Sequence, residues 1–293
     1  MSGTCRLIGV DRQVYYRAKK AKQQKQFIAA KVVELVMNIR KKMPRLGVKK
    51  LYYKLKDELS KLKVGRDKLF EILRANGLLI KPKRQYHVTT NSHHRFRKHK
   101  NLVEDLMIER PEQVWVSDIT YVGRRDNPMY LSLVTDAYSK RIMGYNLSNS
   151  LAAQGAVLAL KMAIKNRCYP KSDLIHHSDR GVQYCCDVYQ QVLNKTGISC
   201  SMTEKYDPYQ NAVAERINGI LKQEFIEDIV INDIELMELL IQDSICIYNA
   251  DRPHYSNFML TPILMHQQAD IKMKTYKTTK KTKTEYQNDL VPS

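Results

Sequence analysis

The chain has 293 residues, 43% hydrophobic and 27% charged, with 49 Lys and Arg against 30 Asp and Glu for a formal net charge of +19. That length buries one large core or two smaller ones, and the charge points to a polyanionic partner or an acidic surface. There is no run of eighteen apolar residues and no basic leader ahead of an apolar stretch, so the expectation is a cytoplasmic protein with no membrane partner. The charge is segregated. Residues 1 to 100 hold 28 Lys and Arg against 6 Asp and Glu, a net +22, while the rest of the chain is slightly acidic. The six cysteines include no CxxC pair, and His93, His94 and His99 have no cysteine pair at finger spacing, so ordinary thiols are expected and no structural zinc.

From the N-terminus, Cys5 to Lys20 accommodates two short helical pieces broken at Gly9, with Asp11 capping the second, as in the tail of a helix-turn-helix. Ile28, Val32, Leu35, Val36 and Ile39 form an apolar stripe that predicts a helix over Phe27 to Lys42, stopped by Pro44. A second helix is expected over Val48 to Leu59. A third carries Leu69, Ile72 and Leu73 and ends at a left-handed cap at Asn76-Gly77. Residues 21–80 thus read as a helix-turn-helix domain after a partial one in 1–20, with Lys49, Lys50, Arg66, Lys68 and Arg74 as candidate DNA contacts. Residues 81–108 read as a basic linker whose Lys83 and Arg84 can neutralise phosphates.

Beyond Pro111 the pattern changes. Val114 to Val122, Tyr130 to Asp136 and Arg141 to Leu147 are strand-like, followed by a helix over Ala152 to Lys165. Leu174 to His177 (strand), Val188 to Thr196 (helix), Ile198 to Ser201 (strand) and Ala212 to Phe225 (helix) complete an alternation that predicts a mixed five-stranded α/β sheet flanked by helices. Asp233 to Tyr248 reads as a further helix of an extension that closes a core domain over 109–270. The Lys and Thr-rich residues 271–293 read as a flexible tail.

Three carboxylates stand out. Asp118 interrupts an otherwise apolar and β-branched strand, where an unpaired carboxylate costs several kcal/mol. Asp179 follows a strand C-terminus, where α/β sheets place ligands, and Glu215 lies one turn into a helix. If they converge, they suit two divalent ions at a phosphodiester, because hard Mg²⁺ takes carboxylate oxygens. Salt bridges such as Asp179 to Arg180 or Glu215 to Arg216 account for isolated acids equally well, and spacing alone leaves both readings open.

The flanking residues add more. Trp115-Val116-Ser117-Asp118-Ile119-Thr120-Tyr121, His177-Ser178-Asp179-Arg180-Gly181-Val182-Gln183-Tyr184 and Asn211-Ala212-Val213-Ala214-Glu215 resemble the three catalytic blocks of insertion-sequence transposases of the IS3 family, and thirty-five residues lie between Asp179 and Glu215 as in that family. The resemblance extends to Pro44-Arg45-Leu46-Gly47 and, at the other end, to Tyr248-Asn249, Arg252-Pro253-His254 and Thr261-Pro262. It implies a ribonuclease H-like fold, Asp118, Asp179 and Glu215 as catalytic residues and ligands of Mg²⁺ or Mn²⁺, and double-stranded DNA as substrate. It implies too a homo-oligomer on DNA in a prokaryotic, nucleoid-associated setting. An upstream frameshift partner carrying a further helix-turn-helix and a leucine zipper is also implied, since the chain begins almost inside its first helical piece. Departures fall at Glu204, Tyr206 and Gln210, where the family usually has Arg, Gly and Asp, and at Asn257, where an apolar residue is usual. The first three bear on DNA-end preference more than on activity.

Around the acids, Lys222 is expected to share the helix face of Glu215 and reach DNA, with Arg216 and Asn218 projecting elsewhere. His177 is either a positioning group or a packed core histidine, and Trp115 reads as core. The leading function is a metal-dependent DNA strand transferase. A non-catalytic DNA-binding regulator and a ribonuclease H-like nuclease without strand transfer are the alternatives.

Overall fold

A computed structural model describes residues 9, 11–81, 99–124, 126–203, 211–226, 229–268 and 270–271. It opens on helix α1 (Arg12–Arg40), whose N-terminus is capped by Asp11 accepting from the Gln13 N–H at 2.7 Å. The break expected before Phe27 is absent: residues 12–27 hold no Gly or Pro, so nothing interrupts the helix, and the boundary expected near residue 20 falls inside it. Only its C-terminal third packs. There Val32 and Val36 are buried, and the Arg40 guanidinium donates to the carbonyls of Leu78 and Leu46.

The second expected helix is two, α2 (Val48–Lys54) and α3 (Lys56–Lys61), which meet at Leu55 with φ −102° and ψ 19°. Helix α4 (Arg66–Ala75) ends at Asn76, and Gly77 adopts the expected positive φ of 66°. The four helices enclose Leu46, Leu51, Leu59, Leu69 and Leu73, all fully buried.

The core holds strands β1 (Val114–Gly123), β2 (Pro128–Asp136), β3 (Ile142–Ser148), β4 (Ile175–Ser178) and β5 (Ser199–Met202) in the order β3-β2-β1-β4-β5. The β1–β2 and β2–β3 pairs are antiparallel, and β1–β4 and β4–β5 are parallel, which makes the expected mixed five-stranded sheet. This is the ribonuclease H-like, integrase-type core, with an N-terminal helical, helix-turn-helix-like subdomain.

Alternation along β1 and β2 assigns the two faces. Trp115 and Val134 pack with Ala156, Leu160 and Ala163 of α5 (Ala153–Lys165) and with Tyr189 and Leu193 of α7 (Asp187–Lys195). Helix α5 approaches closely because residue 144 is glycine: a Cβ there would meet the Ala159 carbonyl at 2.1 Å. On the opposite face Val122, Leu131 and Leu133 pack with Ile217, Ile220 and Leu221 of α8 (Ala212–Leu221) and Ile241 and Ile245 of α9 (Ile234–Ala250). The helix expected to run to Phe225 changes at Lys222 into a π-turn (Lys222–Ile226). Between β4 and α7 lies the short α6 (Val182–Cys185), and α10 (Pro262–His266) closes the described chain.

The same hydrophobic cluster continues from α8 and α9 into the N-terminal helices. Lys50 of α2 donates to Glu224 of the π-turn at 3.3 Å, and Lys54 to the Asp251 carbonyl at 3.0 Å. No described helix is long and apolar enough to cross a membrane.

Candidate active site

The parallel register pairs Val114 with Ile175, Trp115 with His176 and Val116 with His177. Extended by two residues along both chains, it sets Asp118 level with Asp179 just past the end of β4. Asp118 falls on the α8 side of the sheet, with Val116 and Val122. Helix α8 is tied to the same strand at two points, since Asn211 Nδ2 donates to the Ser117 carbonyl at 3.1 Å and Asn218 Nδ2 to Asp118 Oδ2 at 2.7 Å. Asn211, Glu215 and Asn218 are spaced i, i+4, i+7, one face of a helix, so the tethers turn the face bearing Glu215 toward the strand ends. The expectation that Asn218 projects away from Glu215 is overturned, because residues three apart share a helix face.

A small open cleft lies here, lined by Asp118, Ile119, Tyr121, Leu151, Asp179, Gly181, Gln183 and Tyr184. Each aspartate has one oxygen fixed by backbone: Ile119 N–H donates to Asp118 Oδ1 at 2.9 Å, and Gly181 N–H to Asp179 Oδ1 at 3.0 Å. Glycine at 181 leaves that approach unhindered, as a Cβ would sit 3.0 Å from the same oxygen and press on it.

The acids feel one another. Burial first, then the Asp179 charge, push Asp118 up to about 7; the Asn218 and Ile119 hydrogen bonds oppose this and Glu215 adds to it. Glu215 is also raised, by desolvation and by Asp179. Asp118 and Asp179 both line the cleft, and repulsion between two such hard oxygen donors is of the kind a divalent cation relieves.

A second group of donor atoms lies elsewhere. Glu112, Cys168 and His266 bring possible metal ligands within 4.8 Å of one another. Glu112 is already engaged by Arg167 Nε at 3.1 Å, Cys168 N–H at 2.6 Å, Tyr169 N–H at 3.2 Å and His266 Nε2 at 3.3 Å. Burial works against its charge, but these bonds prevail and hold it at about 2. His266 loses by burial and gains more from Asp136 and Glu112, which raise it to about 9. The Glu112 oxygens are thus already taken by donors from Arg167, Cys168 and Tyr169, so this group is a buried polar network. It joins the start of β1 to α10, and its separation in sequence, 154 residues from Glu112 to His266, hid it from sequence reasoning.

The other residues singled out are placed as follows. Trp115 is fully buried core. His177 is buried, with Nδ1 2.9 Å from Ser201 Oγ, which makes it a packed core histidine. His254 is buried against Arg252, whose Nη1 lies 2.9 Å from its Nε2. Lys222 is partly buried where α8 passes into the π-turn. Lys49 and Arg74 are exposed; Arg66 and Lys68 are exposed too, and pair with Asp67 and Glu71. Lys50 is occupied by Glu224 and only 18% of its side chain is exposed. Lys83, Arg84, Glu204, Tyr206 and Gln210 lie outside the described residues. Asn257, apolar in most of the family, is fully buried here with Nδ2 donating to the Ser139 carbonyl at 2.6 Å, so the polar side chain is satisfied.

Two family models described as integrase core domain match residues 108–208 and 196–262. The Insertion element IS600 uncharacterized 31 kDa protein of Shigella sonnei is 32% identical over 254 residues, covering 85% of this chain and 92% of its own length. Transposase InsF for insertion sequence IS3A of Escherichia coli (strain K12) is 34% identical over 184 residues, 62% of this chain and 64% of its own length. Among solved structures, the HTLV-2 integrase catalytic core domain in complex with magnesium aligns over 54% of this chain and 97% of its own, at 16% identity and TM-score 0.43. With the core domain matched and most of the IS600 relative covered, the chain belongs to the IS3-family insertion-sequence transposases, with the integrase core as its catalytic fold.

Proposed function

We propose that the chain is the catalytic subunit of a DNA transposase, a DDE-type polynucleotidyl transferase that cleaves 3′ ends at an insertion element and joins them to a second phosphodiester. The observation that carries this reading is that Asp118 and Asp179 line one cleft, with the Glu215 carboxylate close enough for its charge to act on both, in a chain of this family. Two ions, Mg²⁺ or Mn²⁺, held by these carboxylates would activate the attacking oxygen and stabilise the leaving one. Asp118 on β1 and Asp179 just past the end of β4 would hold the ions, with Glu215 as a further ligand. Asn218 and the Ile119 and Gly181 N–H groups hold carboxylate oxygens in place, so the ligands are oriented before DNA arrives. Water is the nucleophile in the first step and the freed 3′-OH in the second, so no side chain forms a covalent bond to DNA. We place the ions here and not at Glu112, whose oxygens already accept from Arg167 and from the Cys168 and Tyr169 N–H groups.

Duplex DNA is the partner in this reading, gripped by the basic N-terminal region, with Lys49, Arg66, Lys68, Arg74, Lys83, Arg84 and Lys222 as contacts. The protein acts as a homo-oligomer on DNA in a prokaryotic cytoplasm, associated with the nucleoid, and with an upstream frameshift partner supplying further end recognition. The test is incubation of the purified chain, with that partner segment supplied, on duplex carrying element ends and Mg²⁺ or Mn²⁺. Joined products support transposition. Cut ends alone make it a nuclease, and binding without cutting makes it a regulator.

A further inference from the structure

The N-terminal half of α1 is a bare basic rod. Of residues 11–27, all but Tyr15 are exposed. Over this stretch the helix carries Arg12, Arg17, Lys19, Lys20, Lys22 and Lys25, and no acid follows Asp11 until Glu34. None of these six cations forms an ion pair among the described residues, whereas Lys50, Arg66 and Lys68 of the other helices do. At about 100° per residue the six are spread around the whole circumference, with no gap wider than about 80°. Like charges three residues apart, Lys19 to Lys22 and Lys22 to Lys25, cost helix stability with nothing on the chain to offset them.

Two occupants fit poorly. A coiled-coil seam needs apolar residues repeating on one side, but the exposed Val14 and Tyr16 lie about 160° apart on the helix. A membrane surface needs one apolar face and one basic face, and the charge here is all round. A helix lying in a major groove is flanked by phosphates on both walls, and the groove, about 12 Å wide, admits one. Residues 12–27 would span about 24 Å.

We propose that the free half of α1, residues 12–27, lies in the major groove of duplex DNA and is the principal phosphate-neutralising element of the described N-terminal region. This rests on the transposase reading above for the identity of the DNA and goes beyond it in assigning to α1 a larger share of the phosphate neutralisation than the cations of the other helices supply.

The test compares two full-length triple variants for binding to random-sequence duplex without divalent metal: Lys19→Gln, Lys22→Gln, Lys25→Gln against Lys56→Gln, Lys61→Gln, Lys63→Gln, which removes the same charge from exposed positions around α3. Each phosphate contact contributes about 0.9 to the slope of log K against log salt. The α1 triple is expected to lose about 2 to 3 from that slope and at least about tenfold in affinity at 0.1 M salt, and the α3 triple less than about 1. Circular dichroism should show undiminished helix in the α1 triple, since repulsion is relieved. Equal losses in the two triples, an unchanged slope in the α1 triple, or a change of oligomeric state with the slope intact would each overturn the proposal. Strand joining on element ends is scored in parallel at saturating DNA. Joining with an unchanged slope defeats this inference alone, and a lost slope with no joining by the parent protein defeats the transposase reading alone.

Discussion

Replacing Glu224 by Gln is expected to damage the protein far more than replacing the Lys50 that pairs with it. Glu224 accepts from Arg252 Nε at 2.8 Å, Arg252 Nη2 at 2.6 Å and Lys50 Nζ at 3.3 Å. Arg252 is 1% exposed, and its Nη1 faces the ring of His254, which burial and then the Arg252 charge keep neutral. Removing the Glu224 charge strands that guanidinium inside the protein, and breaking a buried pair in this way costs about 3–5 kcal/mol. Lys50 stands differently. Burial first and the Arg252 charge second lower it to about 8, against the pull of Glu224. Lys50→Met gives up one ion pair but also a desolvation penalty and a like-charge repulsion, for a net cost of about 0–1 kcal/mol. Urea unfolding of the two variants checks this, with the Glu224→Gln midpoint falling by about 1 M or more and the Lys50→Met midpoint nearly unmoved. Equal shifts, or the reverse order, would refute the view that Arg252, and not the contact with α2, is what Glu224 is there to satisfy.

Asp118→Asn, Asp179→Asn and Glu215→Gln should each lower strand cleavage on the order of 10³-fold or more, as loss of one member of a catalytic unit does, with duplex binding in a mobility-shift assay intact; near-normal turnover in any of them removes that residue from the site. Asn218→Ala, which frees Asp118 Oδ2, should weaken Mn²⁺ activation by about 10- to 100-fold in the midpoint of a metal titration, and an unchanged midpoint would deny it an orienting role. Because Asp118 is raised to about 7 from an ordinary 3.8, the metal-free folded state holds its proton more tightly than the unfolded chain. That contribution to stability is present at low pH and lost as pH rises through 7, while a cation must displace the proton. Stabilisation by Mn²⁺ in thermal melts should therefore be larger at pH 8 than at pH 6, and the opposite trend would contradict the shift. Asn257→Leu restores the family's usual apolar character but leaves the buried Ser139 carbonyl without its donor, so it should destabilise by about 1–3 kcal/mol in equilibrium unfolding; a stabilised variant would show that the bond is dispensable.

The elements of the core were legible in the sequence because each is announced locally. The β-branched run at Val114 to Val122, the apolar alternation to Asp136 and the stripe of Ala152 to Lys165 have periods that a single strand or helix imposes on itself. Helix-to-helix detail was less so. Nothing local distinguishes the Leu55 break from a continuous helix, and the polar residues 21–26 lack an apolar stripe to join the piece capped by Asp11 to the helix expected from Phe27. Asp118, Asp179 and Glu215 could be named from their flanking blocks, but isolated acids can pair with neighbouring Arg as easily as with each other. Only the parallel register of β1 with β4 sets Asp118 level with Asp179, and only the Asn211 and Asn218 tethers of α8 turn the face of Glu215 toward them. The same holds for what sequence reasoning did not find: Glu112 meets Arg167 and His266, and Glu224 meets Lys50 and Arg252, across separations of 28 to 174 residues. Local periodicity records which face of an element is apolar. A long-range polar contact leaves no periodic trace, since its partner is chosen by the fold and its strength by the burial that the fold creates.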